Sequence, residues 1–220
     1  MEKPIAARAF EPDVSVITSD GNRISMQTRA IADLTVTSYR IVGCDPFECT
    51  LALPFAYRVA PGRYPMFLAL ADFEGADDQR VAAAMLYLSD AEPTRWEPAK
   101  PEGDGKVEGD GEESTATITV DSGLAALMDR EAALFLTVKL EDDADYLEDA
   151  IEDQRGPLYT DGPEWFDITL DSSTGLNIVI FSSDWGDGVY SGYWGIDDDG
   201  NLACLVIDLG ILDENDEVAE

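Results

Sequence analysis

Leu176 to Leu209 reads LNIVIFSSDWGDGVYSGYWGIDDDGNLACLVIDL, and this stretch decides the fold class. It holds three apolar runs rich in β-branched and aromatic residues: Leu176 to Ser182, Val189 to Ile196 and Leu202 to Leu209. Such runs fit half-buried strands. The links between them are Asp184-Trp185-Gly186-Asp187-Gly188 and Asp198-Asp199-Gly200-Asn201. Both place Gly or Asn where a hairpin needs a positive φ. Trp165 to Leu170, closed by Asp171-Ser172-Ser173-Thr174-Gly175, adds a fourth strand ahead of them. The spacing predicts an antiparallel meander.

Upstream the same grammar continues. Val14 to Ile17 and Arg23 to Met26 flank the turn Asp20-Gly21-Asn22. Leu34 to Val42, Tyr64 to Phe73 and Thr115 to Val120 read as strands. Arg80 to Leu88 is alanine-rich, but the strand before it and the Ser89-Asp90 stop favour a hairpin partner. Cys44 to Phe55 is broken by Pro46 and Pro54 and reads as loop. Asp121 or Ser122 is placed to cap a helix running through Asp129 toward Phe135. A second helix, Asp142 to Gln154, sets Tyr146, Leu147, Ala150 and Ile151 on one face, with Gly156-Pro157 as its stop. Residues 98–114 carry four glycines and many acids and read as a flexible acidic loop. The expectation is one α+β domain over residues 1–220, mostly antiparallel sheet with one or two packed helices.

The charge narrows the function. The chain has 220 residues, with 46 Asp and Glu against 14 Lys and Arg, a net charge of −32. Nucleic acid and anionic membranes are disfavoured partners, because both are held by Lys and Arg clusters. A basic protein is the natural electrostatic partner. Solubility or adaptation to a salty cytoplasm is the less specific reading of the same charge. Met1 to Phe10 lacks the apolar centre of a signal peptide, and no run approaches a membrane span. Cys44, Cys49 and Cys204 have no zinc-type spacing and read as reduced, buried thiols of a cytoplasmic protein.

Histidine is absent, which removes every Ser-His, Cys-His and His-metal arrangement. No acid pair is marked by spacing. Asp197 to Asn201 opens like a calcium loop, but Leu202 stands where the loop needs glycine and Asp208 where it needs glutamate. Nothing in the sequence calls for a metal or cofactor. Two candidate binding features remain. One is the glycine-aromatic segment with Asp184, Trp185, Asp187, Tyr190, Tyr193 and Trp194, which reads either as a binding rim or as a tight hairpin packed over its sheet. The other is the acidic helix face with Glu148, Asp149 and Glu152.

Several blocks, in order, resemble the bacterial family named domain of unknown function 4241. They are CDPF at Cys44, VAPGRYPMFLAL at Val59, RVAAAMLYLSD at Arg80 with Arg95-Trp96-Glu97, and ITVDSGLAALMD at Ile118. The last and most specific is FSSDWGDGVYSGYWGIDDDGNLACLVIDL from Phe181. The resemblance implies one domain and brings no catalytic residue with it. The leading expectation is a non-enzymatic, immunity- or antitoxin-like inhibitor of a basic, toxin-like protein. The alternative is a carboxylate-dependent, metal-assisted enzyme.

Overall fold

A computed structural model describes residues 1–18, 21–103, 116–155, 162–183, 185–213 and 216–219. Asp184, residues 104–114 of the expected acidic loop and the Gly156-Pro157 stop lie outside the described residues. The strands are β1 (Ser15–Ile17), β2 (Arg23–Val36), β3 (Ile41–Cys44), β4 (Gly62–Phe73), β5 (Gln79–Tyr87), β6 (Arg95–Pro98) and β7 (Ala116–Val120). After these come β8 (Leu124–Asp129), β9 (Trp165–Asp171), β10 (Leu176–Ser182), β11 (Gly188–Ile196), β12 (Leu202–Asp208) and β13 (Glu217–Ala219). Helix α1 (Ile5–Arg8) precedes β1, while α2 (Arg130–Asp142) and α3 (Tyr146–Arg155) follow β8.

The fold is α+β, with every strand pair antiparallel. A large sheet runs β13-β1-β2-β4-β5-β12-β11-β6, with β7 also on β11, and a small one runs β3-β8-β10-β9. Their facing sides enclose the main core, including Leu34, Met66, Leu68, Leu86, Leu127, Phe181, Trp194 and Leu205. On the outer side of the small sheet, α2 and α3 bury Leu136, Leu147 and Ile151 against Met128, Ile168 and Ile180. On the outer side of the large sheet, α1 packs over Ala69, Ala71, Ala82 and Ala83 with Ile211 and Leu212. The alanines of β4 and β5 keep that side low enough for α1 to approach.

Five expectations are corrected. The last four strands are two hairpins in two different sheets: β9 pairs β10, β11 pairs β12, and the chain crosses between sheets after Ser182. Leu34 to Val42 is two strands, because the backbone turns at Thr37 to Arg40, where Tyr39 takes φ 64. Leu124 to Asp129 is strand rather than helix, since β3 and β10 flank it with hydrogen-bonding edges that outweigh its alanine-leucine propensity. Helix α2 therefore starts at Arg130, and α3 begins at Tyr146 rather than Asp142. Pro98 ends β6 and Ala99 is buried, so the expected loop begins later than residue 98.

Candidate functional site

Asp129 builds the helical layer. Its backbone is extended and its carboxylate accepts from Glu131 N, capping α2. The same carboxylate accepts from Thr37 N at 2.8 Å and Ser38 N at 2.9 Å, which fixes the end of β2 beside the helix. From that anchor Ala132, Ala133 and Leu136 turn inward. Leu134 and Val138, one helical turn apart, face outward at 50% and 58% exposure.

The two helices and the link between them also expose nine carboxylates: Glu131, Glu141, Asp142, Asp143, Asp145, Glu148, Asp149, Glu152 and Asp153. Of the bases in this layer Arg130 is exposed, while the other two are engaged by neighbours. Lys139 lies over the rings of Phe135 and Tyr146, 5.6 Å from each, and Arg155 forks onto Glu164 at 2.7 and 2.9 Å. Glu141, Asp142, Glu152 and Asp153 sit in the last turns of their helices, where negative charge opposes the dipole. The layer thus exposes an apolar pair on α2 together with many carboxylates on α2, α3 and the link between them.

The glycine-aromatic segment divides. Tyr190 and Trp194 point between the sheets and are buried, whereas Tyr193 packs on the opposite side of β11. Period-two alternation along the strand carried that signal in the sequence. Trp194 meets Phe55 and Tyr57 edge-on at 6.0 and 5.9 Å. Tyr190 ties down the crossing loop, its hydroxyl donating to Gly186 O at 2.8 Å. Gly192 is approached by the chain's own Thr117, whose Oγ1 accepts from Gly192 N at 2.7 Å. Among the described residues of the segment Trp185, Asp187 and Val189 are exposed; Trp185, 58% exposed, donates from Nε1 to Gly210 O and lies under Arg80 at 4.8 Å. These contacts belong to the large sheet, while Glu148, Asp149 and Glu152 ride on the small one. The two candidate features stand on different layers.

Asp45, missed in the sequence, is buried and accepts from Phe47 N, Asp121 N and Ser122 N. It fastens the CDPF loop to the β7–β8 turn. The Asp-Pro-Phe order was its only local trace. All three cysteines are free and buried. Burial raises each thiol, that of Cys204 to about 11. The carboxyls that shift are lowered: Glu102 by its bond from Arg40, Asp171 by Ser173 and Thr174, Asp197 by the backbone of Asn201. Among the described residues, no three His, Cys, Asp or Glu side chains are placed to hold a metal ion. Nor is any helix among them long and apolar enough to cross a membrane.

Residues 34–207 match the family described as Protein of unknown function (DUF4241). The chain belongs to the DUF4241 family. Comparisons with curated proteins and with solved structures return no match. The DUF4241 match begins in β2 and ends in β12, so it takes in the whole small sheet and the helical layer. It leaves out α1, β1 and β13, the elements that finish the outer side and edge of the large sheet.

Proposed function

We propose that the protein is a non-enzymatic inhibitor of the immunity or antitoxin type, whose helical layer covers a basic, toxin-like protein domain. The observation that carries this reading is the exposed Leu134–Val138 pair on a helical layer that also exposes nine carboxylates. Carboxylates of that density steer a basic partner in and set its on-rate, while desolvating the apolar pair supplies residence time. The three free thiols favour a reducing compartment, the cytoplasm.

The test begins with the tagged chain in lysate of its own source, at low and high salt. One stoichiometric basic protein is expected to stay bound at low salt and in part at high salt. Charge reversal at Glu148, Asp149 and Glu152 then slows its association on the order of tenfold at low salt, with little change in dissociation. Leu134→Ser with Val138→Ser speeds dissociation instead. An unchanged on-rate in the charge-reversed chain sinks the assignment.

A further inference from the structure

The outer side of the large sheet holds a cavity of about 180 Å³ beneath the N-terminal segment. Phe10, Met85, Trp96, Cys204 and Val206 form its body, and three alanines, Ala7, Ala91 and Ala203, leave it unfilled where larger side chains would close it. Lys3 and Glu11 stand at the wall and are ion-paired with each other. The wall is mostly carbon and sulfur; its polar groups are the Lys3–Glu11 pair and Tyr87, whose hydroxyl is already donated to Asp90.

Size and charge select the occupant. A volume of about 180 Å³ is close to the roughly 150 Å³ of an apolar cavity that admits benzene, so it suits a six-membered ring. An anion meets the field of a −32 chain and finds Lys3 already engaged. A cation loses its hydration among apolar side chains and finds Glu11 already engaged by Lys3. A hydroxyl, which donates and accepts at once, matches the Lys3–Glu11 pair. We infer that this cavity is a binding site for a compact, uncharged aromatic molecule with one hydroxyl group, the chemistry of a phenol. It stands apart from the helical layer, so neither reading depends on the other.

The experiment uses the full chain with ¹³C-labelled methionine methyls and phenol as the probe. Met85 lines the cavity, while Met66 and Met128 are buried elsewhere and serve as controls. Phenol is expected to shift Met85 saturably and leave Met66 and Met128 in place. Benzoate and benzylammonium bind at least about tenfold more weakly, a difference of about 1.4 kcal/mol. Ala7→Leu fills the cavity from α1 and abolishes the phenol response. An unmoved Met85 overturns the inference, as does benzoate binding as well as phenol. Full phenol binding by a folded Ala7→Leu chain does the same, and the phenol–benzoate comparison stands on the native chain alone.

Discussion

Asp129 and Asp45 are buried carboxylates held by backbone N–H groups, with no ion pair to either among the described residues. Each joins segments remote in sequence; Thr37 and Asp129 are 92 residues apart. No local pattern encodes such a bond, so the break in Leu34 to Val42 was hidden while the strands on either side were legible. Asp129→Ala strips acceptors from three backbone N–H groups at once and is expected to cost about 3 kcal/mol or more in denaturant unfolding. A loss under about 1 kcal/mol would show that water replaces the carboxylate. The thiols make a second residue-level prediction. Burial raises Cys204 from 9.0 to about 11, so its protonated form is favoured more in the folded chain than in the unfolded one. Its stabilisation is complete below pH 9 and is lost as pH rises toward 11. Urea midpoints across that window should fall, and Cys204→Ala should flatten the fall; an identical slope in the variant rules the thiol out.

At the scale of elements, strands announced themselves by composition, but their partners did not. Leu124 to Asp129 carries helix-forming residues and still forms the second strand of the small sheet, because β3 and β10 satisfy its backbone on both edges. Val179 and Phe181 of β10 face the same core as Tyr190 and Trp194 of β11, so apolar pattern alone does not separate neighbours in a sheet from strands stacked across a sandwich. Helix α3 was legible because its apolar face and acidic face repeat at helical spacing. Its acids are not equivalent. Glu148 and Asp149 lie in the first turn, Glu152 and Asp153 near the last. Reversal to Lys relieves overall repulsion equally in both pairs, but only the second pair also removes an opposition to the dipole. Glu152→Lys with Asp153→Lys should therefore melt higher than Glu148→Lys with Asp149→Lys, by about 3 °C for a difference near 1 kcal/mol. Equal melting temperatures would mean the dipole is fully screened.

Across the whole molecule, 46 acids against 14 bases set two opposing responses to salt. Self-repulsion loosens the folded chain, and screening relieves it once the Debye length shrinks to about 10 Å near 0.1 M. Attraction to the proposed basic partner would be screened over the same range, so its on-rate should fall as the chain itself becomes more stable. The melting temperature should climb between about 0.01 and 0.5 M NaCl and then level off, because by 1 M the Debye length is only about 3 Å and little remains to screen. The chain reversed at Glu148, Asp149 and Glu152 has three fewer negative and three more positive charges, so its net charge is less negative by six and its melting temperature should climb less. A curve that keeps rising steeply beyond 1 M would assign the acids to life in concentrated salt. A plateau, with partner association slowing over the same span, favours recognition, because a surface made only for salt has no need of the exposed apolar pair Leu134 and Val138.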